Sequence, residues 1–176
     1  PRYLALGASP QPGRLSVASA DIDGNGSLDL ALASPDAAEV MLYLQAGGGR
    51  FRPVAAPSLS GITALAATPR PQGALLFALS AEREEAMGAA AWDRARGLSA
   101  PAFLPTPQKP FAMAAGDLNA SGIPDFAYIY RDSAKGYRLA VYPDPQGAEL
   151  LRQAPATRTL PLNAETEVDA LAIADL

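Results

Sequence analysis

Oxygen-bearing side chains recur at alternate positions in residues 21–29, which read DIDGNGSLD. Asp21, Asp23 and Asn25 occupy positions 1, 3 and 5 of this segment, and Asp29 occupies position 9. A hard cation such as Ca²⁺ takes about six to eight oxygen ligands, and alternate residues of a tightly curled loop direct their side chains toward one centre. The spacing therefore predicts that these four residues bind Ca²⁺.

The backbone of this segment, which we name the first acidic loop, is suited to such a curl. Gly24 and Gly26 permit the positive φ angles that a sharp bend requires. The backbone carbonyl of Ser27, at position 7, adds an oxygen to the predicted shell. We expect this loop to bind one ion, with water completing the coordination.

The same pattern returns in residues 117–125, DLNASGIPD, which we name the second acidic loop. It has one carboxylate fewer than the first loop, so we expect it to bind its ion more weakly. The expected cofactor of the chain is thus Ca²⁺, one ion per acidic loop. The ligands predicted in the second loop are Asp117, Asn119, Ser121, the carbonyl of Ile123, and Asp125.

Two related calcium loops do not fit these segments. An EF-hand requires a bidentate Glu at position 12, where this chain has Leu32 and Tyr128. EF-hand and dockerin loops are also followed by a helix, whereas LDLALAS and DFAYIY alternate like strands. A metal-free hairpin turn is the remaining alternative, because Asn25-Gly26 is a strong turn signal. That alternative does not account for the carboxylates on both sides of the turn.

A repeat with a period of about fifty residues contains both acidic loops. Asp21, Thr68, Asp117 and Asp175 each end a strand of small and apolar residues, and they are separated by 47, 49 and 58 positions. This period is typical of a four-stranded propeller blade. The middle repeat reads TPRPQG at residues 68–73, without a single acid, so we expect it to bind no metal.

The repeats predict an all-β fold of four-stranded antiparallel propeller blades, about three complete and two partial, which form an incomplete ring. The fourth strand of the third complete blade is expected at residues 148–153. The predicted units are residues 1–12, an outer strand of a preceding blade; 13–59, a blade with an acidic loop; 60–108, a degenerate blade without one; 109–164, a blade with an acidic loop; and 165–176, the start of a further blade.

Larger side chains are expected to pack between blades, while Ala-rich and Gly-rich inner strands lie near the axis. Two charged segments, EREE at residues 82–85 and DRARG at 93–97, are expected to be solvated turns. The aromatic residues assigned to packing between blades are Phe51, Phe77, Trp92, Tyr128, Tyr130 and Tyr142.

Composition excludes several classes of protein. With 176 residues, 49% of them hydrophobic, the chain can bury a substantial core, and its net charge of −4 without a basic run disfavours DNA and RNA as partners. The chain has no His and no Cys, which excludes Ser-His-Asp triads, thiol nucleophiles and disulfides. No apolar run approaches the roughly 20 residues that cross a bilayer. Because the chain begins with Pro1, we interpret it as a processed or excised piece.

Residues 20–59 and 115–130 resemble the FG-GAP or VCBS-type repeat, the unit of the integrin α-subunit propeller and of many bacterial secreted proteins. The resemblance rests on the D-x-D-G-N-G-x-x-D-L loop and the downstream Gly turn and Phe. It implies a seven-bladed propeller when whole, with Ca²⁺ between the first two strands of some blades, and an extracellular, cell-surface or periplasmic location. Three blades cannot close that ring, so further sequence or other chains must complete it.

The function expected from this pattern is a non-catalytic calcium-binding module for adhesion, protein binding or assembly, with other proteins or surface glycans as partners. One alternative is the propeller scaffold of a secreted carbohydrate-active enzyme, with a carboxylate or Tyr as base. Another is a docking subunit of a larger membrane-associated or filamentous complex. No catalytic constellation in the sequence supports the enzyme.

Overall fold

Short apolar runs separated by Gly, Pro and Asp form strands in the computed structural model, which describes residues 16–133, 136–143, 158–163, 168 and 170–173. The strands are β1 (Val17–Ala20), β2 (Asp29–Ser34), β3 (Glu39–Gln45), β4 (Phe51–Pro57), β5 (Ala64–Arg70), β6 (Gly73–Ser80), β7 (Ala86–Asp93), β8 (Gly97–Leu98), β9 (Ala102–Leu104), β10 (Pro110–Gly116), β11 (Asp125–Asp132), β12 (Gly136–Tyr142) and β13 (Arg158–Pro161).

The first sheet contains β1 to β4 in chain order, and every neighbouring pair is antiparallel. The first acidic loop joins β1 to β2, and the pairing of Ala20 with Asp29 closes its base. A short 3₁₀ turn, Pro35–Ala37, connects β2 to β3. Along β2 the side chains of Ala31 and Ala33 are buried, as an alternating strand pattern on a core requires.

The middle sheet has five strands rather than the four predicted. The order is β5-β6-β7-β8, and β9 also pairs with β7. The expected fourth strand is therefore divided into β8 and β9. Pro101 lies in the interval between them, and a proline has no backbone N–H to donate to a ladder. The missing donor at Pro101 coincides with the break in the strand.

The third sheet contains β10 to β13 in chain order, again antiparallel. The strand beside β12 is β13, whereas the fourth strand predicted at residues 148–153 lies outside the described residues. The predicted strand at residues 1–12 also lies outside them. Of the predicted further blade, residues 168 and 170–173 are described and carry no strand, and Ile173 lies against Gly116.

Strand β6 is buried on both faces because the middle sheet lies between the other two. Leu76 and Ala78 belong to a hydrophobic cluster shared with the first sheet. Leu75, Phe77 and Leu79 belong to a second cluster, shared with the third sheet. One strand thus contributes alternate residues to both cores.

Aromatic side chains dominate the second cluster. The rings of Phe77 and Phe126 stack across the middle and third sheets with centroids 4.0 Å apart and planes 7° apart. Tyr128, Tyr130 and Tyr142 are buried beside them. The predicted packing of aromatic side chains between sheets is thus confirmed for Phe77, Tyr128, Tyr130 and Tyr142. Trp92 packs in part against the first cluster, and Phe51 is half-buried.

The first strands of the three sheets lie side by side, with β5 in contact with both β1 and β10.

The two charged segments lie at turns, as expected: residues 82–85 are exposed between β6 and β7, and residues 93–97 connect β7 to β8. The prediction of an all-β chain made of antiparallel sheets is confirmed. None of the described residues forms a helix of the length and hydrophobicity needed to cross a bilayer.

We predict that the protein loses stability in alkali through its buried phenols. Burial, and then the neighbouring phenols of Tyr142 and Tyr130, raise the pKa of Tyr128 above its ordinary value, and burial raises the pKa of Tyr142. The folded state resists deprotonation while the unfolded state does not. The free energy of unfolding should therefore hold below about pH 10 and fall above it.

Urea unfolding at about pH 8 and about pH 11 measures this loss. The double variant Tyr128→Phe, Tyr142→Phe should lose less stability between these two pH values than the parent protein. The reason is that it lacks the two phenol groups whose deprotonation favours the unfolded state. An equal loss in the variant would contradict the assignment.

Candidate metal site at the acidic loops

The first acidic loop is held at its base by a buried carboxylate. Asp29, the first residue of β2, is 0% exposed. Its Oδ2 accepts hydrogen bonds from the backbone N–H groups of Ile22, at 2.8 Å, and Asp23, at 3.3 Å. Its Oδ1 accepts one from the N–H of Gln45, the last residue of β3, at 2.7 Å. Such charge-assisted bonds offset the cost of burying the charge.

The remaining side chains of the loop fold inward onto its own backbone. Asp21 accepts hydrogen bonds from the N–H groups of Asn25, at 2.9 Å, and Gly26, at 2.8 Å. Asp23 accepts from the Asn25 N–H at 3.2 Å, and the Asn25 Oδ1 accepts from the Ser27 N–H at 2.8 Å. Each predicted side-chain ligand is therefore oriented by a backbone donor.

Three carboxylates of the loop come close enough to share one cation. One oxygen from each of Asp21, Asp23 and Asp29 lies within 4.8 Å of the others. Calcium–oxygen bonds of about 2.3–2.6 Å separate ligands on opposite sides of an ion by about 5 Å, so the triad fits a single Ca²⁺. The chemistry of the set also fits, because every ligand is an oxygen.

The crowding of these carboxylates affects their protonation. Partial burial, followed by the charges of Asp29 and Asp21, raises the pKa of the Asp23 carboxyl above its ordinary value, although the hydrogen bond from the Asn25 backbone opposes this. Like charges close together disfavour the ionised form. A bound cation would reverse that repulsion.

The second acidic loop repeats this arrangement, joining β10 to β11. Asp117 accepts hydrogen bonds from the N–H groups of Ser121, at 3.0 Å, and Gly122, at 2.7 Å. The Leu118 N–H donates to Asp125 Oδ2 at 2.8 Å. These are the bonds that the corresponding residues form in the first loop. The two loops therefore share one backbone path.

The oxygens of the second loop are arranged less favourably for a cation. The amide nitrogen of Asn119 donates to Asp125 Oδ1 at 3.4 Å, and the Asn119 Oδ1 accepts from the Ser121 N–H at 2.9 Å. The Ser121 hydroxyl donates to the carbonyl of Ile123 at 3.2 Å. The bond accepted by Asn119 Oδ1 repeats that of Asn25 in the first loop. The second loop differs in having Asn119 where the first has Asp23, in the bond made by the Ile123 carbonyl, and in the exposure of Asp117.

The two loops differ in the residue that bends them. Gly24 has φ of 72°, and Ala120, its counterpart, has φ of 56°. An L-residue with a Cβ is strained in this left-handed region, by about 1 kcal/mol, whereas glycine is not. The second loop therefore carries local strain that the first one avoids.

The middle repeat has a plain hairpin at the corresponding place. Arg70 pairs with Gly73, so that only Pro71 and Gln72 lie in the turn. Thr68, at the position of Asp21 and Asp117, is buried. Its side chain offers one hydroxyl where the other repeats offer a carboxylate.

Sequence patterns did not identify Gln45 as part of the site. Its N–H binds Asp29, and its carbonyl accepts a hydrogen bond from the Asn25 side chain at 2.9 Å. Both groups belong to the backbone, so the residue type carries no signal. Only the pairing of β2 with β3 could have indicated that the end of β3 reaches the loop.

No protein-family model matches this chain, and no curated protein matches it. Its function must therefore be inferred from the residues and geometry of the acidic loops.

We predict that Asp29 supports the fold even without a cation. In calcium-free buffer, Asp29→Ala leaves three backbone N–H groups without their acceptor and should lower the free energy of unfolding by about 2–5 kcal/mol. Asp23→Ala removes one acceptor and a repelling charge, and should cost less than about 1 kcal/mol. Urea unfolding of both variants checks the difference, and equal costs would contradict the geometry described for Asp29.

Proposed function

We propose that this chain is a non-catalytic, calcium-binding β-propeller module that serves adhesion, protein binding or assembly outside the cytoplasm. The observation that carries the proposal is the convergence of Asp21, Asp23 and Asp29 oxygens within 4.8 Å. Carboxylates that meet in a loop built by backbone hydrogen bonds are a favourable cage for a hard cation.

The proposed cation has a structural role. Bound Ca²⁺ would offset two of the three negative charges that Asp21, Asp23 and Asp29 bring together in the first loop. The chain's own groups hold the loop in shape: Asp29 is buried and bound by three backbone donors, and Asn25 is tied to Gln45. This arrangement favours rigidity of the hairpin over chemistry at an open coordination position.

The packing of the three sheets supports the propeller. Each sheet runs in chain order from its first strand outward, and the first strands β1, β5 and β10 lie side by side. The sheets stack face to face through two hydrophobic clusters. Blades that surround an axis require this combination of adjacent inner strands and stacked faces.

The outer face of the third sheet supports further blades. Leu139 and Val141 hold the places that Val40 and Leu42 hold in the first sheet, where the middle sheet buries them. In the third sheet these residues line an open, largely apolar cavity of about 620 Å³, together with Leu160. A further sheet of the same repeat would cover this face as the middle sheet covers the first.

The exposed parts of the acidic loops are available to a partner. Leu28 and Ile123 are large apolar residues exposed at the two loops. Loops on a rigid scaffold commonly carry binding residues, and exposed apolar side chains at such places favour a protein partner. Ordering of the loops by a cation would fix the surface that they present.

A location outside the cytoplasm agrees with the ligand set. Extracellular calcium modules bind with dissociation constants of about 10⁻⁴–10⁻³ M, and such sites fill only where calcium is abundant. Most of the predicted ligands of the second loop are exposed, and Asn119 stands there in place of a carboxylate, which favours weak binding.

We predict that calcium stabilises the protein through both loops, the first more strongly. At a free concentration about 100 times the dissociation constant, one site adds about 2.7 kcal/mol to the free energy of unfolding. Thermal melts in calcium and in EDTA, with calorimetric titration, measure the gain and the number of ions. Asp23→Asn should remove the larger part of the stability gained from calcium, and Asn119→Ala should remove the smaller part.

An unchanged melting temperature in calcium, with no heat of binding, would overturn the proposed metal sites. A dissociation constant below about 10⁻⁶ M would remove this support for the proposed location, because such a site would also fill inside cells.

A further inference from the structure

Ile22, in the first acidic loop, joins the predicted metal site to the neighbouring sheet. Its N–H donates to Asp29 at 2.8 Å, and its side chain is buried, at 0% exposure, in the cluster between the first and middle sheets. Its carbonyl accepts a hydrogen bond from the N–H of Ala74, in β6, at 2.9 Å. One residue therefore contacts the carboxylate, the core and the next sheet.

Two glycines allow the loop to reach that sheet. A Cβ on Gly24 would lie 2.9 Å from the backbone nitrogen of Gly73. A Cβ on Gly73 would lie 2.7 Å from the Ile22 carbonyl oxygen and 2.9 Å from Trp92. Real Cβ atoms do not come so close to other heavy atoms, so this contact between loop and turn excludes larger residues.

A side chain of the middle sheet adds a further link. The Arg94 guanidinium, from the turn after β7, donates to the carbonyl of Gly24 at 3.4 Å. The backbone of the loop thus has two carbonyls bound by the middle sheet, those of Ile22 and Gly24. These are the residues that flank Asp23, a predicted ligand.

Among the residues that the structure describes, none encloses the second loop in this way. Leu118, the counterpart of Ile22, makes the same bond to Asp125, but its side chain is 49% exposed and lines the open cavity on the third sheet. Ala120, which is exposed, holds the place of Gly24. Within the described parts of the chain, the close contact that requires glycine in the first loop has no counterpart at the second loop.

We infer that cation binding in the first acidic loop is coupled to the packing of the middle sheet, which has no acidic loop of its own. This inference rests on the proposed metal site, and it adds that a cation bound there would stabilise the contact with the neighbouring sheet. A cation that fixes Asp29 and Asp23 also fixes the backbone of residues 22–24, and this backbone is the surface that receives Gly73 and Ala74. The coupling is reciprocal, so disturbing the contact must weaken binding.

Amide hydrogen exchange of the whole chain tests the coupling. Calcium should slow the exchange of the Ala74 N–H by about tenfold or more relative to EDTA, because this N–H is released only when loop and sheet separate. Asp23→Asn should abolish the slowing. Asn119→Ala, the matched change in the second loop, should leave the slowing at Ala74 intact.

A pair of glycine variants tests the reverse direction. Gly73→Ala should raise the dissociation constant of the first site by about fivefold or more, because its Cβ displaces the Ile22 carbonyl. Gly97→Ala is the control, since Gly97 also has positive φ, at 82°, but its added Cβ would meet only Trp92, at 3.9 Å. The dissociation constant of the first site in this control should stay within about twofold of that of the parent protein.

The outcomes separate the inference from the proposed function. If calorimetry finds calcium bound in the first loop but Ala74 exchanges equally fast in calcium and EDTA, the coupling is overturned and the metal site stands. If neither loop binds calcium, the metal site and the inference both fail. A Gly73→Ala variant that does not fold leaves the exchange experiment as the deciding test.

Discussion

The acidic loops depend on a carboxylate that is buried where the second strand of a sheet begins. Asp29 in the first sheet and Asp125 in the third are nearly inaccessible to solvent, and each accepts a hydrogen bond from the backbone at the start of its loop. A buried charge is tolerated only with such partners. Because the same residue ends the loop and begins the strand, the chemistry of the loop and the pairing of the hairpin cannot be separated.

The middle sheet lies between the two sheets that carry the acidic loops. Its central strand β6 gives alternate side chains to two cores, and its turn at residues 70–73 receives the first loop. This repeat has no acids at the corresponding positions, yet it binds the loop backbone on both sides of Asp23, through the carbonyls of Ile22 and Gly24. A repeat without acids of its own in this way contacts the loop that has them.

Much of this arrangement could be predicted from sequence, since it is local. The alternation after Asp29 and Asp125 predicted strands, and the spacing of Asp21, Asp23 and Asn25 predicted a curled loop. The roles of Gln45 and Ala74 could not be predicted, because they act through backbone groups whose position depends on how strands and sheets pack. The division of β8 from β9 had a signal in Pro101, but proline shows where pairing fails and not what replaces it.

Among the described strands, those at the outer side of each sheet share a feature with a consequence for solubility. Prolines occur in β4 and β13, at Pro53, Pro57 and Pro161, and Pro101 interrupts the outer side of the middle sheet. An exposed sheet border with a full row of N–H donors is a template for strands of other molecules, and proline removes donors from that row. The described outer strands are thus poorly suited to lateral growth into fibrils.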